Sequence, residues 1–425
     1  MLRRGFVRFA ALVLALLLVG ASAFAESTVE QRLEDLETLR AGLEEGHCDL
    51  FALVSPEEWA ARVEETAEKL RDGALDERMA CYALIELVAS VGDAHTQAWF
   101  TAQGQMGTHA LPLQTGLFDD GLYLLGTTQP YAEYLGMEIV AIGGAPIDEV
   151  FRRLTPIVSY DNETRLRTQL AGNVADADAM RYVGVLGSAE GAEVTFRDAE
   201  GKEHAAHIDA LAGEEIYAAQ FAFLERERVP AAEQPASIYE FSAYGDALWI
   251  GYYSCAEDTE HPMAAFIEEV AAELEAEEYK KVCVDLRYNG GGNSAVLEPM
   301  IDRLAALKGE MGFEIYALIG ENTFSSAVMN AVQLKTRAGA TLVGRPTGGS
   351  ANHYGELQSF DLEHLPLTVY YSTKYFEMLP GYAPGSLMPD IEVERTLADY
   401  LAGRDCEMEA VQALQGGALL DDAEH

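Results

Sequence analysis

Cysteine is scarce and unpatterned. Cys48, Cys81, Cys255, Cys283 and Cys406 are scattered through 425 residues without a CxxC pair or a paired-histidine spacing. Neither a structural zinc site nor a disulfide scaffold is expected, and no cofactor or metal is implied. The odd number leaves at least one thiol without an intrachain partner, one disulfide being compatible with the spacing, and Cys283, inside the apolar run Val282–Leu286, reads as a core residue. Basic residues are also few: 29 Lys and Arg stand against 70 Asp and Glu, a formal charge of −41. That balance excludes nucleic acid and anionic membranes as natural partners and disfavours acidic substrates. After Ala25 no apolar run is long enough to cross a membrane. No internal repeat is present. The glycine run at 290–292 is not followed by Gly-Lys-Ser/Thr, and neither a G-x-G-x-x-G fingerprint nor a G-x-S-x-G elbow occurs around the candidate residues, which argues against nucleotide-binding folds and the common α/β-hydrolase fold.

What is there begins with a leader. Arg3, Arg4 and Arg8 precede the apolar stretch Ala10–Val19, and Ala23-Phe24-Ala25 before Glu26 fits small-residue cleavage, so residues 1–25 are expected to be a secretory signal. An uncleaved anchor is the alternative; the lack of a Cys at the cleavage point argues against a lipid anchor. The product would be extracytoplasmic, extracellular or periplasmic, with no membrane association after signal cleavage; its oligomeric state is not legible. The remaining chain is long enough for two or three domains. Residues 26–100 read as a helical domain: Leu33, Leu36, Leu39 and Leu43 fall at helical spacing, and Ser55-Pro56 is an N-cap followed by a first-turn proline. Residues 105–223 alternate short apolar runs with glycine turns. Within them MEIVAIGGAPIDEVFRRL reads as strand, tight turn and helix and resembles the second half of a PDZ-like domain, with 157–185 as an insertion. Residues 224–237, with Pro230 and Pro235, read as a linker. Residues 238–410 alternate strand and helix, the signature of an α/β core with a mostly parallel sheet and crossover helices. Residues 411–425 are expected to be a disordered tail.

In such sheets ligands bind at the carboxyl ends of the strands. Two stretches fall there. Phe313–Ile319 is an apolar strand, followed by a turn at 320–323 and by Ser325 and Ser326 at the start of a helix. Unpaired first-turn amides and the helix dipole favour negative charge developing beside such a serine. The plainer reading is that Thr323 or Ser325 is an N-cap. DLRYNGGGN at 285–293 is the other stretch; its glycines let backbone amides approach an anion, or merely make a tight turn, and Asp285 and Arg287 are expected to pair and hold the strand end. His95, in Gly92-Asp93-Ala94-His95-Thr96, is by position alone as readily a structural histidine.

Taken in order, DLRYNGGG (285–292), TFSSA (323–327), LVGRPTGGS (342–350) and MPDIEV (388–393) resemble the C-terminal-processing (tail-specific) serine peptidases, and GDAHT (92–96) resembles their tricorn-like relatives that use a histidine. The resemblance implies a serine-type endopeptidase acting on peptide or unfolded-protein substrates. It implies Ser325 as nucleophile, with Ser326 the lesser choice, and an oxyanion hole from the amides of Gly291, Gly292 and Ser326. The processing peptidases place a Lys at a fixed spacing after the nucleophile; the ungapped position here holds Ser350, so His95 is the expected general base, with His353 a rival. Tricorn-like enzymes also carry a Ser before the His, here Ala94, and a Glu before the Pro-Asp motif, whereas Tyr382–Leu387 contains no acid. Glu356 and Glu377 are the nearest carboxylates to serve as third member. A non-catalytic ligand- or peptide-binding protein on the same scaffold, as in the retinoid-binding relatives, is the second reading; an esterase or other acyl-transfer enzyme is the third.

Overall fold

The computed structural model describes residues 27–72 and 75–414. The expected signal and residues 415–425 of the expected tail lie outside these. Among the described residues no helix is long and apolar enough to cross a membrane, no group of His, Cys, Asp and Glu could hold a metal ion, and all five cysteines are free thiols.

The chain opens with helices α1 (Val29–Gly46), α2 (Pro56–Arg71) and α3 (Glu77–Ala89). Ser55 caps α2 in a reciprocal capping box with Glu58, as its sequence dictates. Leu36, Leu39 and Leu43 of α1 are buried. They do not form a core of their own: their cluster is completed by Leu362, Leu365, Leu367 and Val369 from the far end of the chain. Strand β1 (Gln97–Phe100) follows directly on the His95 turn.

A β-rich unit comes next, with β2 (Leu113–Phe118), β3 (Gly121–Thr128), β4 (Glu138–Ile142), helices α4 (Ile147–Leu154), α5 (Glu163–Asn173) and α6 (Ala177–Tyr182), then β5 (Gly191–Arg197), β6 (Glu203–Asp209) and β7 (Phe221–Phe223). The sheet runs β7-β3-β4-β5-β6, with β2 also paired to β3. The segment expected as an insertion supplies α5 and α6, whose Leu166, Leu170, Ala177 and Met180 join the core of this unit. The expected linker is pinned rather than loose: Arg226 pairs with Glu233 at 2.7 Å, Ala232 is buried, and Glu227 N–H donates to the Leu401 carbonyl.

The last part is a six-stranded sheet. Its strands are β8 (Tyr239–Tyr244), β9 (Ala247–Tyr252), β10 (Lys281–Asp285), β11 (Glu314–Ile319), β12 (Thr341–Gly344) and, after a hairpin, β15 (Ile391–Glu392), in the order β8-β9-β10-β11-β12-β15. Every pairing is parallel except β8 with β9. Every residue of β10, and of β11 after Glu314, is buried, which is why both read as unbroken apolar runs rather than alternating ones. Helices α7 (Met263–Ala276), α8 (Glu298–Met311) and α9 (Ser326–Ala338) cover one face. The other is covered by α10 (Cys406–Ala413), with Met408, Val411 and Leu414 packed on Trp249, Tyr316 and Val343. Val411 and Leu414, expected within the tail, are therefore part of the packed core.

Between β12 and β15 the chain makes a long hairpin, β13 (Asn352–Asp361) and β14 (Leu367–Glu377), and β14 also pairs with β1. This three-stranded sheet, β1-β14-β13, joins the N-terminal helices to the carboxyl end of the six-stranded sheet.

Candidate active site

The loops after β10, β11 and β12 meet at one rim. Thr323 donates its hydroxyl hydrogen to the Leu286 carbonyl at 2.8 Å and accepts from Gly320 N–H, Phe324 N–H donates to the Asn289 carbonyl at 3.1 Å, and Gly349 N–H donates to the Thr323 carbonyl at 3.0 Å. Thr323 is thus occupied in holding the turn and is not a helix cap. Ser325 occupies the N-cap position of α9 but its side chain makes no capping bond, and its backbone stands at φ 51°, ψ −126°. Such a conformation costs a non-glycine residue on the order of 1–3 kcal/mol and persists only where its surroundings impose it. The Ser325 hydroxyl has no hydrogen-bond partner among the described residues.

The glycine loop packs directly on this turn. A Cβ on Gly291 would lie 2.7 Å from Ser325 Cβ, so no other residue allows that approach. Gly291 was expected as an oxyanion donor, but its N–H is donated to Asn289 Oδ1 at 2.9 Å and is no longer available. The N–H groups of Gly292 and Ser326 have no partner among the described residues, and both residues line the cavity that Ser325 lines. The Ser326 hydroxyl donates to the Gly292 carbonyl at 2.7 Å, so Ser326 ties helix to loop and is not a free nucleophile.

His95 comes to the same place from the N-terminal helices. Its turn is clamped by Asp93, which the sequence offers only as part of the GDAHT motif, with no role assigned. Asp93 accepts from the His95 N–H (2.9 Å), the Thr96 hydroxyl (2.6 Å) and the Ser372 hydroxyl of β14 (2.6 Å), with His47 Nε2 at 3.4 Å. Burial alone would raise the Asp93 pKa; the bonds from His47, Ser372, Thr96 and His95 N–H outweigh it and hold the carboxyl down to about 2. The clamp acts on the backbone of His95, not on its ring. The ring is stacked against Phe324 (centroids 4.5 Å) and His353 (5.3 Å), and both of its nitrogens are buried without a partner among the described residues. Burial pushes its pKa down to about 4, with the Asp93 charge opposing and His353 and Arg165 adding to the fall. The stack continues outward, with the Arg165 guanidinium 4.3 Å over Phe324 and Phe376 5.7 Å beyond His353.

His353, on β13, is set differently. Its Nδ1 lies 2.9 Å from the Ser350 carbonyl, so Nδ1 carries the proton and Nε2 is left as the acceptor. Ser350 itself is buried and accepts from Asn162 Nδ2 at 3.1 Å. The two carboxylates expected to orient His95 do not reach it. Glu377 is exposed at the end of β14, opposite Asn352, and Glu356 is exposed beside Lys374, 3.8 Å away. The hairpin register places Glu377 on the face opposite His353, whereas Glu356 lines the same cavity as His95 without bonding its ring nitrogens.

Ser325, Ser326, Gly292, His95, His353 and Glu356 line one cavity of about 590 Å³. A second cavity of about 590 Å³ lies between α2, α3 and residues 155–161, but it holds no serine beside a histidine and an unpaired amide. The first is the candidate site on chemical grounds: a nucleophile-type side chain on a strained turn, neutral imidazoles, and two unclaimed N–H donors.

No protein-family model matches the chain, and no curated protein is detectably similar to it in sequence. Similarity appears at the level of structure. Mature CPAF superposes with a TM-score of 0.66 at 13% identity, over 92% of this chain and 99% of its own. Mature CPAF complexed with lactacystin gives 0.65 at 13% identity, over 90% and 98%. The chain therefore has the CPAF fold over nearly its whole length. The photosystem II D1 C-terminal processing protease also matches over 88% of this chain, at a TM-score of 0.39 and 12% identity, below the level at which a shared fold can be argued.

Proposed function

We propose that the protein is a serine peptidase that hydrolyses peptide bonds in unfolded protein or peptide substrates through an acyl-enzyme on Ser325. The observation that carries this reading is the conformation of Ser325: a strained backbone that withholds the hydroxyl from helix capping and leaves it unpaired in a cavity shared with His95. His95, uncharged at neutral pH, takes the Ser325 proton as Oγ attacks the scissile carbonyl. The Gly292 and Ser326 N–H groups take up the oxyanion. The imidazolium then gives its proton to the leaving amine, and a water, deprotonated by the same ring, releases the acyl group. The β-rich unit would present peptide ends as a PDZ-like module, and the leader-like segment 1–25 supports an extracytoplasmic location.

A second reading has one observation in its favour. No carboxylate among the described residues bonds the His95 ring, so a non-catalytic binding protein would show the same geometry. Cleavage of denatured casein separates the two. The protein is expected to fragment casein, and Ser325→Ala is expected to be inert; casein left intact by the unmodified protein would favour binding over catalysis.

The pH profile tests the base. Protonated His95 cannot accept the Ser325 proton, and burial has moved that protonation down to about 4. The acid limb of kcat/KM is therefore expected to have its midpoint well below the ordinary histidine value of about 6.5, with cleavage retained at about pH 5. A midpoint at or above 6.5 would remove the buried His95 from the role of base.

A further inference from the structure

Among the described residues only two that are not glycine have a positive φ: Ser325, at 51°, and Glu356, at 57°. Both line the same cavity. In a regular strand neighbouring side chains point to opposite faces, so Glu356 and Leu357 would not both face one space. The pairing of β13 with β14 skips Glu356, running from Gly355↔Lys374 to Leu357↔Ser372, and the left-handed turn at Glu356 brings both residues to the cavity. Strain of this kind collects at functional positions.

We propose that Glu356 is a specificity-determining residue that selects substrates carrying a basic side chain, lysine or arginine, near the bond presented to Ser325. This rests on the peptidase reading above and deepens it. Glu356 is the one carboxylate among the described residues lining the cavity, and no Lys or Arg lines it. Phe324, Met329 and Leu357 supply apolar wall for the methylene stem of a basic side chain. The pair that would take its charged head already holds an ammonium group. Lys374 Nζ stands 3.8 Å from Glu356 Oε2 and 4.5 Å from the centre of the Phe376 ring, which also lines the cavity. A carboxylate with an aromatic face is a cation site, and the chain's own lysine stands in it. The lysine side chain is 56% exposed, so its hold is weak and a substrate cation can replace it. The chain's formal charge of −41 draws cationic peptides towards it.

The test uses full-length protein carrying Ser325→Ala, so that binding is read without cleavage. Fluorescein-labelled octapeptides identical except for Lys, Arg, Gln or Glu at one central position are titrated at low salt and followed by anisotropy. Lys and Arg peptides are expected to bind about two- to fivefold tighter than the Gln peptide, and the Glu peptide more weakly still. Adding Glu356→Gln is expected to erase the difference, and adding Lys374→Gln to widen it. A Lys-to-Gln ratio that Glu356→Gln leaves unchanged, or peptides that do not bind at all, overturns the proposal. The peptidase reading is judged separately. If the unmodified protein cleaves Gln and Lys peptides equally, this inference falls and the peptidase stands. If it cleaves nothing while Glu356-dependent binding persists, the peptidase falls and the cation site stands.

Discussion

Replacing Ser325 by glycine is expected to reduce peptide cleavage by roughly 10⁴-fold or more while raising the unfolding temperature. The loss follows from removing the nucleophile, because what remains is only the oxyanion site and substrate binding. The gain follows from the backbone. Serine at φ 51° and ψ −126° is strained by about 1–3 kcal/mol, and glycine adopts that conformation freely. Glycine returns about 0.4–1 kcal/mol of this through its greater freedom in the unfolded chain, so the net gain is about 0.5–2 kcal/mol, worth a few degrees. Ser325→Ala is the control: it removes the hydroxyl and keeps the strain, so it should lose cleavage without gaining stability. Calorimetry on the two variants beside a cleavage assay decides the matter. Equal melting temperatures for Gly and Ala would show that the turn is unstrained, and residual cleavage by both would show that Ser325 is not the nucleophile.

Arg287→Met is expected to destabilise the fold by about 3–5 kcal/mol at neutral pH. Arg287 is 7% exposed and bonds three carboxylates at once: Asp285 at 2.6 Å, and Asp405 and Glu407 each at 2.7 Å. Its guanidinium is held in the charged form: burial opposes this, and the three acids outweigh burial. Methionine fills much of the space but leaves three buried carboxylates facing one another. For Asp405, burial acts to raise the pKa, and the Arg287 charge and hydrogen bonds outweigh it to hold the carboxyl below its ordinary value of 3.8. That group's contribution to stability is therefore present above about pH 4 and is lost as pH falls below it, so the penalty of Arg287→Met should shrink in acid. Urea denaturation at pH 7 and at pH 3 measures both effects, and a variant as stable as the parent at pH 7 would refute the account. Cleavage should fall as well, because Leu286, the residue just before it, carries the carbonyl that holds Thr323 and the Ser325 turn.

The Asp285–Arg287 pair was legible in the sequence because the two residues are near neighbours at a strand end; Asp405 and Glu407 were not, lying far along the chain near a segment whose composition reads as tail. The parallel sheet was legible for a similar reason, since strands buried on both faces show as unbroken apolar runs. Ser325 was placed correctly between strand and helix, but whether it caps the helix or offers its hydroxyl depends on one backbone angle that no residue pattern encodes. Glu356 and Glu377 were picked for their nearness in sequence to the expected site; the hairpin register sends Glu377 to the other face, and Glu356 reaches the cavity but bonds neither nitrogen of His95. The amide of Gly291 looked as available as that of Gly292 until the Asn289 side chain was seen to claim it. Nothing in GDAHT announces that Asp93 will grip Ser372, or that the ring of His95 will be held by Phe324 and His353.

The grip of Ser372 on Asp93, with β14 lying between β1 and β13, also sets an order of events during synthesis. A chain leaving the ribosome presents the Asp93–His95 turn early, Ser325 much later, and the hairpin that fastens the two together only near its end. Until Ser372 has emerged, the Asp93 clamp lacks its bond to the hairpin and the first helices lack the leucines that complete their core. On the proposed function, an unfinished chain carries a nucleophile before the hairpin has joined it to the histidine turn, so assembly of the site waits for the end of translation.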